Sequence, residues 1–302
     1  MTDTPFRSGF VAVLGRPNVG KSTLVNRLVG TAISIATAKP QTTRTRVLGI
    51  VHGPDWQAVL IDTPGVHEPR DPFNARMVRY ASGAVHEADL LLMLVEAFER
   101  GRSEPGPQDR LVFELVRASG APAFLVINKI DQAGPERVLP TIESYRRSGR
   151  FTEIVPVSAL EGKGVERLKT LIAGQLKEGP PYFEPDQRSA QSVETLAAEL
   201  VRQAVFHRTE QEIPYSTAVR LTGMEDRGGL THIAATIYVE RDSQKGIVIG
   251  RKGAMLKAIG REARLSIEKL LGNRVFLELG VAVLKDWSRD PRALEELGYP
   301  EE

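Results

Sequence analysis

The chain has 302 residues, 41% of them hydrophobic and 26% charged, with a formal net charge of only +2. That length suits two domains, each able to bury its own core, and the composition is that of a soluble globular protein. The absence of Cys excludes disulfides and thiolate metal sites and fits a reducing cytosol. The five His are scattered without ligand spacing, so no zinc is expected. The longest apolar run, Leu90 to Val95, is far below the roughly 20 residues of a membrane span. The opening MTDTPFRSGF lacks the charged-then-apolar pattern of a signal peptide.

From residue 10 to 176 short apolar runs alternate with helical patterns. The runs are 10–14, 59–61, 90–95, 123–127 and 154–157; the helical stretches are 21–29, 107–118, 135–147 and 165–176. Fully apolar strands alternating with helices predict an α/β domain with a mostly parallel sheet covered on both faces. Directly after the first run stands Gly15-Arg16-Pro17-Asn18-Val19-Gly20-Lys21-Ser22, which fits the P-loop pattern and opens a helix. Such a match arises by chance on the order of once in a hundred chains of this length. Its backbone N–H groups and the helix N-terminus can cradle phosphates, with Lys21 on the β- and γ-phosphates and Ser22 on Mg²⁺. Gly15, Pro17, Asn18, Val19, Gly20, Lys21, Ser22 and Thr23 form the expected phosphate-side set.

Next comes Lys39-Pro40-Gln41-Thr42-Thr43-Arg44. A Thr here would complete the Mg²⁺ shell while the γ-phosphate is present and let go after hydrolysis, and Thr43 is preferred over Thr42. At the end of the second run, Asp62-Thr63-Pro64-Gly65 supplies a carboxylate that can hold the Mg²⁺ through water and a Gly65 amide for the γ-phosphate. Lys21, Thr43, Asp62 and Gly65 are therefore the candidate catalytic residues, with Ser22, Thr43 and Asp62 as the Mg²⁺ set. Many small GTPases carry a water-orienting Gln at the position of Val66. Valine cannot hydrogen-bond water, which predicts slow intrinsic turnover. Asn18 offers a carbonyl oxygen that could help coordinate K⁺ beside the phosphates; a turn-stabilising Asn is the plain alternative.

After the fourth run, Asn128-Lys129-Ile130-Asp131 places a carboxylate that can accept from guanine N1–H and its 2-amino group. Adenine has no such donor pair, and a site built for one rejects the analogue by about 10⁴ or more. The Lys129 stem can cover the base, and Ser158-Ala159-Leu160 completes the pocket, with the Ala159 amide aimed at guanine O6. GTP is the expected nucleotide.

Residues 178–190 begin with the Pro-rich EGPPYFEPDQ and read as a linker between a G domain at 1–177 and a second domain at 191–302. Beyond it the pattern runs helix, strand, strand, helix, helix, strand, with a turn at Arg227-Gly228-Gly229. Between the two central helices lies Gly250-Arg251-Lys252-Gly253. The stretch from Lys245 to Arg274 carries eight Lys/Arg against Glu262 and Glu268. A charge run alone is usually a solvated face, and G-x-x-G alone is weak. Together, in this element order, they predict an α+β type II KH domain, whose loop clamps about four nucleotides of RNA. A basic helix pair that docks on the first domain is the alternative.

Over nearly its whole length the chain resembles the bacterial Era GTPases. The resemblance rests on SGFVAVLGRPNVGKSTLVNRLVG, KPQTTRTRVLGI, DTPGVH, NKID and SAL, and on EGPPYF, EIPYS, VIGRKG and RALEELGY, which other GTPases lack. A hydrophobic residue after DTPG is that family's habit. The resemblance implies a monomeric, cytoplasmic ribosome-assembly factor that binds 16S rRNA near its 3′ end and is released from the small ribosomal subunit on GTP hydrolysis. It assigns RNA clamping to Gly250, Arg251, Lys252 and Gly253, with Lys257 added by position. It also implies loose peripheral association with the inner membrane, for which no lipidation motif or strongly amphipathic anchor is present. Two other readings stay open: a constitutive RNA binder with a structural nucleotide, and a GTPase partnered with an RNA-modifying enzyme.

Overall fold

The computed structural model describes residues 5–37, 39, 42–69 and 71–301; Pro40 and Gln41 of the expected Thr42/Thr43 segment lie outside them. Residues 5–69 and 74–190 form one unit, and residues 71–73 and 191–301 the other.

In the first unit the elements follow one another as β1 (Arg7–Gly15), α1 (Lys21–Val29), β2 (Val47–His52), β3 (Trp56–Asp62), α2 (Pro72–Glu87), β4 (Leu90–Glu96), α3 (Pro107–Ser119), β5 (Ala123–Asn128), α4 (Pro135–Arg146), β6 (Glu153–Pro156), α5 (Val165–Gln175) and β7 (Lys177–Glu178). The sheet order is β2-β3-β1-β4-β5-β6, with β7 beside the start of β1. All pairs are parallel except β2 on β3 and β7 on β1. Successive residues point to opposite faces. Val11, Val13, Leu60 and Leu92 therefore pack with α1 and α5 residues such as Leu24, Leu28 and Leu168. Ala12, Leu14, Ile61 and Met93 pack with α2, α3 and α4 residues such as Ala84, Val112 and Tyr145. From β1 the chain passes to β3 on one side and to β4 on the other. The crevice beyond the carboxyl end of β1, where the order reverses, is where such sheets take ligands.

Two elements lie outside the expected alternation. β2 follows the polar switch segment directly and is broken by Gly49, so its apolar run reads as a continuation of a loop. α2 buries Met77, Ala81, Ala84 and Val85, spaced three and four apart; its opening Pro-Phe-Asn hides the start.

Segment 178–190 is tied down rather than loose. Gln57, 1% exposed, accepts from the N–H of Tyr182 (2.7 Å) and Phe183 (3.0 Å) and donates to the Phe183 carbonyl (2.8 Å). Tyr182 packs on Phe10 with ring centroids 4.9 Å apart. Farther on, Ile50 N–H donates to Arg188 O, and Ala190 N–H donates to Leu48 O. The end of the segment thus borders β2.

The second unit contains α6 (Val193–Arg208), β8 (Ala218–Asp226), β9 (Leu230–Val239), α7 (Asp242–Ile249), α8 (Ala254–Leu271), β10 (Arg274–Val283) and the short α9 (Pro291–Glu296). Ser192 caps α6 by accepting from Thr195 N–H. A tight turn at 227–229 joins β8 to β9, closed by Arg227 N–H on Leu230 O (3.0 Å). The sheet order is β10-β9-β8, β9 running parallel to β10 and antiparallel to β8. Ile233, Ala235 and Ile237 of β9 pack with Val201 of α6 and with Ile259, Ala263 and Ile267 of α8. This is the α-β-β-α-α-β arrangement expected for a type II KH domain.

Replacing Gln57 by Ala strands the Tyr182 and Phe183 amides. Each such loss costs about 1–3 kcal/mol. Gln57→Ala is expected to lower the melting temperature and to open segment 178–190 to limited proteolysis, read by mass spectrometry of the fragments.

Candidate functional site

A cleft of about 440 Å³ opens at the carboxyl end of the sheet. It is lined by Pro17, Asn18, Gly20, Lys21, Ser22, Thr23, Thr43, Gly65, Asn128, Lys129, Asp131, Ala159 and Leu160. Among the sequence-derived candidates, Gly15, Val19, Asp62 and Ser158 stand behind this wall and are not on it.

At the phosphate end α1 begins without a side-chain cap or an acidic residue in its first turn. Its free N–H groups and positive end therefore face the cleft. Gly20 holds φ at +97°, and a Cβ there would sit 2.3 Å from Asn128 Nδ2. Gly65 comes so near the P-loop that a Cβ would lie 2.7 Å from the Pro17 backbone nitrogen. Both positions need the absence of a side chain. Lys21 Nζ donates to the carbonyls of Gly15 and Arg16, both at 3.1 Å. Burial pulls its pKa down to about 8, against the raising effect of the Asp62 charge.

Behind Lys21 is a cluster of hard oxygens. Ser22 Oγ and Thr43 Oγ1 share a hydrogen bond of 2.8 Å, and Thr43 Oγ1 donates to Asp62 Oδ2 at 3.3 Å. Asp62 is 0% exposed, and its Oδ1 has no hydrogen-bond partner among the described residues. Burial pushes the Asp62 pKa up, opposed chiefly by the hydrogen bond from Ser34. Two hydroxyls and a carboxylate with an idle buried oxygen make a donor set suited to Mg²⁺. Thr42 instead donates to Lys39 O at 2.8 Å.

At the other end, Asp131 stands at the cleft, and its Oδ1 has no hydrogen-bond partner among the described residues. The Ser158 hydroxyl is the main group holding its pKa below the usual range, so the carboxylate is ready to accept. Lys129, in the left-handed region at φ 62°, donates to Asn18 O at 2.7 Å. Ala159 N–H, expected to face guanine O6, donates here to Asn128 Oδ1 at 3.0 Å. Leu160, 66% exposed, flanks the opening. Val66 is buried in the apolar core, with its N–H on Gly15 O at 3.2 Å.

Four supporting residues were not among the candidates read from the sequence. Glu96 bridges the two ends of the site, with one oxygen 2.6 Å from Arg16 and the other 2.5 Å from Lys129. Arg27 of α1 donates to the carbonyls of Ala159 (3.0 Å) and Leu160. Ser34 donates to Asp62 Oδ2, and His67 bonds to the Gly65 carbonyl. Glu96, Arg27 and Ser34 act through segments distant in the chain, whereas the His67 contact with Gly65 is local.

In the second unit the Gly250–Gly253 loop joins α7 to α8. Gly250, Lys252 and Gly253 have φ of +72°, +51° and +77°. Lys252 pays strain for that conformation, a mark of functional loops. Arg251, Lys252 and Lys257 are exposed. The α8 carboxylates are engaged elsewhere: Glu262 with His207 and Arg208, and Glu268 with Arg264. The loop's positive charge is therefore uncompensated by α8.

Residues 10–129 match the family model described as 50S ribosome-binding GTPase, and residues 212–288 match the KH domain model. The chain is 52% identical to GTPase Era of Geobacter metallireducens over 99% of this chain and 100% of the relative. It is 49% identical to GTPase Era of Geotalea uraniireducens, again over 99% and 100%. A crystal structure of Era in complex with MgGDPNP and nucleotides 1506–1542 of 16S ribosomal RNA superposes with a TM-score of 0.93. It is 39% identical and covers 98% of this chain and 99% of that one. A variant of Aquifex aeolicus Era bound to GDP·AlF4− gives 0.93 at 38% identity, over 98% and 100%.

The depressed Lys21 pKa has a consequence for binding. Phosphate charge beside Lys21 raises that pKa again, so above about pH 8 nucleotide binding must take up a proton. Affinity is expected to be flat below pH 8 and to fall as pH rises from about 8 toward 10.5, by at most about tenfold per unit. For the nucleotide-free protein the sign is opposite. Its unfolded state holds the Lys21 proton up to 10.5, so folding stability rises across the same window. Calorimetry at about pH 8.5 in two buffers of different ionisation enthalpy measures the uptake, which Lys21→Ala is expected to lower.

Proposed function

The chain belongs to the Era family of GTPases, and from that premise we propose that it binds and hydrolyses GTP to switch its hold on the 3′ end of 16S rRNA during small-subunit assembly. The observation that carries this is the joining in one chain of a guanine-nucleotide cleft and an uncompensated basic G-x-x-G loop. The family model naming the 50S subunit covers only residues 10–129 and so speaks for the nucleotide unit. The RNA partner comes from the relative bound to 16S nucleotides, which shares both units.

Asp131 selects guanine by accepting two hydrogen bonds that adenine cannot offer, and the Lys129 stem covers the base. Lys21 and the open N-terminus of α1 hold the β- and γ-phosphates. Ser22, Thr43 and Asp62 hold Mg²⁺, which when bound neutralises phosphate charge as it shifts in the transition state. Gly65 presents its amide to the γ-phosphate. Thr43, hydrogen-bonded here to Ser22 and Asp62, completes the Mg²⁺ shell while the γ-phosphate is present and lets go after hydrolysis. With Val66 packed in the core, position 66 offers no group to orient water, and intrinsic turnover is slow. Asn18 would help hold a K⁺, which would supply positive charge beside the phosphates.

Gly250, Arg251, Lys252 and Gly253 clamp the RNA backbone, and Lys257 adds a phosphate contact. The protein works as a monomer in the cytoplasm. In this reading a contact with the inner membrane is peripheral; no helix among the described residues is long and apolar enough to cross one. RNA can report the nucleotide only if it prefers one state.

Binding of a 3′-terminal 16S fragment is expected to be at least about tenfold tighter with GDPNP than with GDP, a coupling of about 1.4 kcal/mol. The double variant Arg251→Ala, Lys252→Ala should weaken both complexes about 10- to 100-fold and leave RNA-free GTP hydrolysis unchanged. Equal affinity in the two nucleotide states, read by filter binding, removes the switch and leaves a constitutive RNA binder.

Replacing Na⁺ by K⁺ is expected to speed GTP hydrolysis about tenfold in the native chain and to have no effect in Asn18→Ala. Phosphate release at matched ionic strength reads both, and equal native rates remove the K⁺ role.

A further inference from the structure

We propose that Ser34 is a positioning residue for the metal-binding carboxylate of Asp62, acting in both the GTP and the GDP state, whereas Thr43 acts in one. The inference rests on the Mg²⁺ site of the proposed function and assigns a role to a residue outside its motifs.

Ser34 Oγ donates to Asp62 Oδ2 at 2.7 Å, the shorter of the two hydroxyl bonds to that oxygen; Thr43 stands at 3.3 Å. A carboxylate can rotate about its Cβ–Cγ bond, and a firm bond to one oxygen fixes where the other points. Here the other, Oδ1, is buried without a hydrogen-bond partner among the described residues. Orienting a ligand through its second oxygen is what outer partners of metal ligands do, and losing one typically costs 10- to 100-fold in metal affinity.

Ser34 is itself clamped. Asn26 Oδ1 accepts from the N–H of Ile33 (2.9 Å) and Ser34 (3.0 Å), while Asn26 Nδ2 donates to Ser34 O (2.8 Å). Asn26 lies on α1, the helix whose first turn carries Lys21 and Ser22. The relay Asn26–Ser34–Asp62 therefore joins the phosphate-binding helix to the end of β3 without passing through Thr43. Ser34 and Thr43 both lie between α1 and β2, where no described residue is in a helix or strand. Ser34 is tied to α1 through its own backbone, and Thr43 meets the site through its side chain, on Ser22 and Asp62. The Asn26 clamp gives Ser34 a hold that does not depend on the γ-phosphate.

The test is release of fluorescent GDP and fluorescent GDPNP from the full chain as free Mg²⁺ is titrated. Ser34→Ala is expected to raise the Mg²⁺ needed for half-maximal retention about tenfold for both nucleotides, with release in EDTA as in the native chain. Thr43→Ala should raise it for GDPNP alone. Ser34→Thr, which keeps the hydroxyl, should restore native midpoints and guards against a fold defect in the Ala variant. An unchanged midpoint in Ser34→Ala, a shift confined to GDPNP, or faster release in EDTA overturns the proposal; the last outcome assigns Ser34 a general structural role. Native retention that ignores Mg²⁺ would instead overturn the metal reading on which the proposal stands.

Discussion

Asn128, at 2% exposure, holds the nucleotide site in register. Its Nδ2 donates to Val19 O at 2.9 Å and its Oδ1 accepts from Ala159 N–H at 3.0 Å, so one amide joins the ends of β1, β5 and β6. A buried amide using both ends cannot turn without stranding polar groups, each costing about 1–3 kcal/mol. The contact also explains Gly20: the amide occupies the space a Cβ would take. Phosphate loop and base loop are thus set relative to each other before any ligand arrives, as preorganised electrostatic sites require. Glu96 repeats the join on the outside, between Arg16 and Lys129, in the half-exposed setting where ion pairs contribute less.

The site is held together at the expense of its own charges. Lys21 and Asp62 are both buried, and burial pushes each toward its neutral form. A fold selected for stability alone would place apolar groups there. Phosphate beside Lys21 and a divalent ion beside Asp62 reverse both penalties, so the pair fits nucleotide with metal better than either alone. The idle Asp62 Oδ1 belongs to the same account: it is a polar atom left for a ligand that the chain does not supply.

What could be read from sequence was whatever lies contiguously. The phosphate loop, Asp62–Gly65, Asn128–Asp131 and Ser158–Leu160 each end a strand, so their order along the chain already implied a shared edge of the sheet. Type II KH topology was legible for a like reason, since the glycine loop falls between two helices of a readable pattern. Ser34, Glu96, Arg27 and Gln57 were not legible. Each acts through contacts with segments far away in sequence, and nothing local distinguishes it from any Ser, Glu, Arg or Gln. The Ala159 amide shows the same limit in reverse: the motif located it at the pocket but could not reveal that Asn128 claims its hydrogen. α2 did carry a periodic pattern, Met77, Ala81 and Ala84 among it, behind an opening that resembles a turn.

Gln57 and β2 change the meaning of the linker. A proline-rich stretch between domains ordinarily gives reach and little else. Here Tyr182 and Phe183 are bound by a buried side chain, and residues 188–190 bond to Leu48 and Ile50 of β2. β2 begins four positions after Thr43, and its other edge is paired with β3, which ends at Asp62. One strand therefore follows the Thr43 stretch, pairs with the strand that ends at Asp62 and bonds to residues 188–190. Ile50 is 0% exposed and its N–H donates to Arg188 O; a buried backbone group left unpaired is costly, so the two segments shift together or that bond breaks at a cost. A displacement of Thr43 large enough to strain β2 must then reach residues 188–190 within the first unit itself, whatever the second unit does.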